Sequence, residues 1–153
     1  MFGLFKSKSS DEQHAKEFVR HVFALGRKTC PLVGKAIQVT TSSGVLFPVT
    51  DDTSLEVSLA ILGTSLAILK GHSKIMSRDR RTEIETWCKQ SIKMDYDLPL
   101  DSASKLIEAI DEYQAAFERA MQSNINPFGE ISGIMLVRSL GPQIKSLSLC
   151  VSS

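Results

Sequence analysis

Two histidines and a glutamate at helical spacing form the first group of residues that could do chemistry. His14, Glu17 and His21 stand at positions i, i+3 and i+7, so one helix would carry them on a single strip. Imidazole and carboxylate groups bind zinc or iron, and carboxylates from another helix could complete a site. The strip lies beside the apolar face of its segment, where side chains are usually solvated. We expect no cofactor, with a metal-binding protein or metalloenzyme as the alternative.

A later segment carries acidic side chains beside an apolar stripe. We call Glu108, Asp111 and Glu112 the acidic face. Paired carboxylates do acid–base chemistry only when one of them is desolvated enough to hold a proton near neutral pH. Next to Lys105, these residues are typical of the salt-bridged outer face of an amphipathic helix. The acidic face is therefore a candidate partner-binding surface and not a catalytic site.

The cysteines and the motif content indicate no catalytic centre. Cys30, Cys88 and Cys150 are far apart, form no CxxC pair and stand beside apolar residues, which predicts buried, reduced thiols. A redox or catalytic thiol is the other interpretation. Nucleotide-binding glycine motifs, HExxH and GxSxG do not occur in the sequence. We therefore lean towards a protein that is not an enzyme.

Charge is unevenly distributed along the chain. Residues 1–94 hold 14 basic and 9 acidic side chains, whereas residues 95–130 hold 2 and 8, although the total charge is only +1. Between positions 70 and 81 lie the five residues that we call the basic segment, namely Lys70, Lys74, Arg78, Arg80 and Arg81. Such a segment could meet phosphate, an acidic protein surface or an anionic membrane, or it could pair with the acidic face of its own fold.

A protein partner or a second copy of the chain is the expected ligand. The sequence has no zinc-finger spacing, RNP-like aromatic run or KH-type GxxG, which makes nucleic acid an unlikely partner. We expect a binding or self-associating module that uses the basic segment and the acidic face, and a homodimer is one form it could take. Head-to-tail contact of these two surfaces would weaken as salt screens them.

Length and composition are those of one globular domain. The chain has 153 residues, of which 42% are hydrophobic and 23% charged, with a mean hydropathy of -0.01. These values exclude fibrous and disulfide-rich scaffolds. The charged residues must therefore be positioned by the helices or strands of an ordinary globular domain.

Apolar spacing predicts an all-α fold, a compact bundle of about six helices with a central hydrophobic helix. The first helix is expected to begin at a Ser10–Gln13 capping box and to end near Lys28. The expected starts of the other helices are Pro31, a Thr53–Glu56 capping box, Ser77 or Arg78, Asp101 and Asn126. A break or kink is expected at Gly141–Pro142.

The central helix has no polar face between Leu55 and Leu69, which is typical of a helix buried on several sides. Ala60, Gly63 and Ala67 form a strip of small residues on it that would let another helix approach closely. These 15 residues rise roughly 22 Å, which is less than a bilayer core of about 30 Å, so we do not expect a membrane span.

The first nine residues differ from the rest of the chain in their expected structure. Residues 1–9 are predicted to be a flexible tail, and residues 10–153 a single helical domain. Apolar residues beside Lys6 and Lys8 leave a peripheral membrane adaptor as a further alternative, with modest affinity from so short a segment. No export signal is recognisable, so the expected location is the cytoplasm.

Overall fold

Five helices follow one another in a computed structural model. It describes the backbone of residues 2–41, 48–71, 74, 76–95 and 100–152, and the side chains of residues 10–37, 48–71, 74, 76–93 and 101–139. The helices are α1 (Phe2–Thr41), α2 (Asp51–Gly71), α3 (Arg78–Asp95), α4 (Leu100–Gln122) and α5 (Pro127–Ser152). The described ranges contain no strand, which confirms the all-α bundle, with five helices in place of the expected six.

The count differs because Pro31 lies inside α1 and does not end it. Pro31 is exposed, whereas Cys30 and Ile37 of the same helix are fully buried. The backbone donor that proline lacks is therefore lost on the outer side of the helix. Cys30 packs against α2, with its Sγ 3.6 Å from Thr53 Oγ1. Burial of Cys30 before Pro31 and of Ile37 after it keeps α1 continuous.

The start of α1 also differs from the expected one. The helix begins at Phe2, so Ser10 lies inside it, and its hydroxyl is 3.4 Å from His14 Nδ1. The predicted Ser10 cap is therefore wrong. The side chains of residues 1–9 are outside the described part of the chain, and a separate tail stays a prediction.

Hydrogen bonds at the first turns of α2 and α5 show which of the predicted N-caps are correct. At α2 the backbone N–H of Thr50 donates to Thr53 Oγ1 at 2.8 Å, and that of Thr53 donates to Thr50 Oγ1 at 3.2 Å. The cap is thus Thr50, one turn before the predicted one. At α5 the backbone N–H of Phe128 donates to Asn126 Oδ1 at 3.0 Å, as predicted. The backbone of α5 runs on to Ser152, so Gly141–Pro142 does not end it.

Helix α2 is the centre of the bundle, because it contacts each of the other four helices. Its buried apolar side chains include Val57, Leu59, Leu62 and Leu66, which confirms the predicted central hydrophobic helix. With 21 residues the helix extends beyond the 15-residue apolar stretch from Leu55 to Leu69, and its length and composition alone would suffice to cross a membrane. More than half of its most apolar window (56%) is buried inside the bundle, the pattern of a core helix.

Two glycines mark places where neighbouring helices pack closely against α2. A Cβ atom on Gly63 would lie 2.7 Å from the backbone oxygen of Ile110 and 2.8 Å from Tyr113 Cβ on α4. A Cβ atom on Gly26 of α1 would lie 3.0 Å from the backbone oxygen of Ser54. The predicted close approach at Gly63 is therefore confirmed.

Candidate functional site

Three surface concavities meet around the last two turns of α2. One lies between α2 and α3, one between α2 and α4, and one among α1, α2 and α3. Leu66 and Leu69 line the first and third, Ile68 the second and third, and Lys70 the first and second. Because they share these residues, the concavities form one continuous surface, which we call the α2-end surface.

The apolar part of the α2-end surface is exposed. Phe18, Ile68 and Met121 are 40%, 45% and 58% exposed, although the spacing of Phe18 and Met121 in the sequence places them on core-facing stripes. The concavity beside Phe18 has a volume of about 400 Å³ and is lined mainly by apolar side chains, including Leu69 and Ile84. Clustered exposed apolar side chains make this surface a candidate interaction site.

The thiols are buried, as the sequence predicts, wherever the structure describes them. Cys88 lies at the floor of the concavity beside Phe18, with no exposed surface. Burial, with a smaller effect from Glu85, raises the pKa of this thiol to about 11, so it stays protonated at neutral pH. Cys30 is also buried, and the side chain of Cys150 lies outside the described residues.

The basic part of the α2-end surface lies between α2 and α3, where Lys70, Arg78, Arg81 and Glu85 line one concavity. Arg81 Nη1 donates a hydrogen bond to the backbone oxygen of Lys70, at the carbonyl end of α2. The Lys70 side chain is 65% exposed, and its Nζ lies 3.5 Å from Glu118 Oε1. Arg78 is exposed and has no ion pair within the described part of the chain.

The other two members of the basic segment lie elsewhere. Arg80 donates from Nε and Nη2 to the two carboxylate oxygens of Asp11 on α1, both at 2.9 Å. These hydrogen bonds hold the pKa of Asp11 below its ordinary value of 3.8, against the opposing effect of burial. Lys74 is exposed in the connection and lines none of the three concavities. The structure therefore brings together Lys70, Arg78 and Arg81, but not Lys74 or Arg80.

Two of the three residues of the acidic face pair within the molecule. The Asp111 carboxylate forms an ion pair with Lys89 Nζ at 2.7 Å, and the Glu112 carboxylate lies 3.4 Å from Arg138 Nη1. Glu108 is exposed and has no ion pair within the described ranges. None of the three lines the α2-end surface, so the two predicted charged surfaces are separate.

His14, Glu17 and His21 lie exposed on α1. His21 Nδ1 is 2.7 Å from the backbone oxygen of Glu17, the contact of a ring N–H that donates to its own helix. Among the side chains that the structure describes, no group of three or more His, Cys, Asp and Glu is placed to hold a metal ion. No further ligand from another helix joins this strip there.

A polar network joins α2, α4 and α5, and it was not predicted from the sequence. The Tyr113 hydroxyl donates to Glu56 Oε2 at 2.7 Å, and Arg138 Nε donates to the same oxygen at 3.0 Å. Burial and the charge of Glu56 raise the pKa of the fully buried Tyr113 well above its ordinary range. Tyr113 lies within an apolar stripe of α4. The only sign of the network in the sequence was that the hydroxyl of a buried tyrosine needs a hydrogen-bond partner.

A further concavity, lined by Phe23, Arg27, Asp51, Asp52 and neighbouring residues, lies at the start of α2. This concavity contains charged side chains of opposite sign, and the large apolar side chains that line it are not strongly exposed. The α2-end surface is therefore the better candidate for binding.

Comparisons with protein-family models, with curated proteins and with solved structures found no match to this chain. Its function is therefore inferred from the surface chemistry of the bundle itself.

Proposed function

We propose that this protein is a non-catalytic binding module that docks an amphipathic helix of a partner protein on the α2-end surface. The single observation that carries the proposal is the continuity of exposed apolar side chains from α1 across α2 to α4, at Phe18, Ile68 and Met121. Recognition of a helix in a groove uses apolar side chains that recur at i, i+3 or i+4, and i+7. The concavity beside Phe18, at about 400 Å³, offers room for one such side chain.

The state of the buried reactive groups supports a binding role over catalysis. The Cys88 thiol and the Tyr113 phenol are both fully buried, and both are held in their protonated forms at neutral pH. Neither group is positioned to act as a nucleophile or base towards a substrate in solution. The metal-binding alternative at His14, Glu17 and His21 and the membrane alternative through residues 1–8 stay predictions, as does a cytoplasmic location.

Selection from a displayed library of helical peptides tests the proposal. We expect selected peptides to bind the wild-type protein and to bind Ile68→Asp at least about tenfold more weakly, a loss of about 1.4 kcal/mol. Ile68 is 45% exposed, so the added charge disturbs the docking surface and not the core. Leu32→Asp is the matched control, because Leu32 is 67% exposed on α1 and outside the three concavities.

Amide chemical shifts of the labelled protein then locate the bound peptide. Shifts centred on residues 66–70 and on Met121, with Leu32→Asp binding as the wild type does, would support the proposal. Peptides that bind Ile68→Asp unchanged, shifts centred on another face, or a library that yields no binder would overturn it.

A further inference from the structure

The basic and apolar concavities of the α2-end surface share a wall. Leu66 and Leu69 line both of them, so an apolar side chain bound beside Phe18 would lie next to the space among Lys70, Arg78 and Arg81. The neighbouring turn of a bound helix lies about 5.4 Å further along its axis. A residue three or four positions from the apolar anchor would therefore reach the arginines.

The cations in this space are only partly compensated within the protein. Lys70 is paired with Glu118, and Glu85 on the wall is paired with Lys89 at 3.0 Å. Arg78 has no ion pair in the described part of the chain, and the described contact of the Arg81 side chain is with a backbone carbonyl. Among the described residues Arg81 Nε is buried without a hydrogen-bond partner, and such an unsatisfied donor costs free energy.

Resting on the proposed function, we infer that the partner helix carries an aspartate or glutamate that binds between Arg78 and Arg81. These two residues are three apart on α3, so their side chains lie on one side of the helix. Two guanidinium groups and a carboxylate form charge-assisted hydrogen bonds, which are about twice as strong as neutral ones. Glu85 on the wall is paired with Lys89, so the cations of this space outweigh its acidic group and attract an anionic side chain.

Charge reversal tests this inference with the same peptide library. We expect peptides selected on the wild type to carry Asp or Glu three or four positions from an apolar anchor. The variant Arg78→Glu should bind those peptides at least about tenfold more weakly, and binding should return when the acidic residue of the peptide is changed to lysine. Arg78 is exposed, so the variant keeps its core.

The control is Lys35→Glu, which makes the same change of net charge on α1, at an exposed residue outside the three concavities. Equal weakening by Lys35→Glu and Arg78→Glu would show long-range attraction only and would overturn the inference. Peptides that need Ile68 but show no acidic preference and no effect of Arg78→Glu would overturn it and leave the proposed function standing. Peptides that need neither residue would overturn both.

Discussion

At the scale of single residues, ion pairs distinguish the predicted charged side chains that are compensated within the fold from those that have no ion pair among the described residues. The sequence shows Arg78, Arg80 and Arg81 as one cluster, but successive residues of a helix point about 100° apart. Arg80 consequently faces Asp11 on α1, whereas Arg78 and Arg81 line the α2-end surface. The cluster was predictable from the sequence. The ion pair of Arg80 was not predictable, because its partner Asp11 lies 69 positions away along the chain.

The Asp11–Arg80 pair predicts a specific dependence of stability on pH. Because the folded-state pKa of Asp11 lies below its ordinary value of 3.8, the pair stabilises the fold fully at neutral pH and loses this effect as the pH falls below about 4. We expect Asp11→Asn to lower the free energy of unfolding by a constant amount between about pH 8 and pH 5, and by less in acid. Urea unfolding across this range measures the difference. Glu108→Gln changes an exposed carboxyl that has no ion pair with the described residues, and it should show little difference. A constant effect of Asp11→Asn down to about pH 2 would contradict the prediction.

Gly63 gives a second prediction at this scale. A methyl group there would lie 2.7 Å from the backbone oxygen of Ile110 and 3.0 Å from the backbone nitrogen of Gln114, and neither atom can rotate away. We expect Gly63→Ala to lower the free energy of unfolding by about 1–3 kcal/mol, as overpacking does. Gly133→Ala in α5 is the control, because no atom lies within 4 Å of its added Cβ, and it should stabilise the protein by about 0.5–1 kcal/mol. Equal stability of both variants would show that α2 and α4 can separate at little cost.

At the scale of helices, local signals located most of the elements, and tertiary packing moved some of their ends. Asn126 caps α5 as predicted, because the cap lies within the segment itself. Pro31 was expected to begin a new helix, which is what a proline does when nothing else holds the chain. Here Cys30 and Ile37 are buried on either side of it, and that packing outweighs the lost hydrogen bond.

Replacing Pro31 separates these two views of α1. In a continuous helix, proline costs about 3 kcal/mol relative to alanine, so Pro31→Ala should raise the free energy of unfolding by about 1–3 kcal/mol. If a second helix began at Pro31, proline would suit its first turn, and the substitution would leave stability unchanged or lower it. Thermal and urea unfolding distinguish the two results. Leu32→Ala, at an exposed neighbouring position, controls for side-chain changes on this face.

At the scale of the whole molecule, the sequence predicts the bundle better than it predicts the surface. The absence of a polar face on α2 indicated its central position, since such a helix must be covered on several sides. The α2-end surface depends instead on which apolar residues stay exposed. Phe18 and Met121 have the spacing of core residues, and only the packing of the helices shows that they are exposed. The Glu56–Tyr113–Arg138 network was equally out of reach, because its members come from three helices.

The pairing of charges inside the bundle also bears on self-association, and it predicts that mass in solution does not depend on salt. Asp111, Glu112 and Arg80 are compensated within the molecule, which leaves little attraction between the acidic face of one copy and the basic segment of another. We expect light scattering behind size exclusion to give a mass of 16.8 kDa at about 0.05 M salt and the same mass at about 1 M salt. At the higher concentration the screening length is only about 3 Å. A dimer that dissociates at high salt would contradict this and would support head-to-tail contact. A dimer that persists at high salt but is lost in Ile68→Asp would instead identify a second copy of the chain as the occupant of the α2-end surface, because apolar contacts there do not weaken with screening.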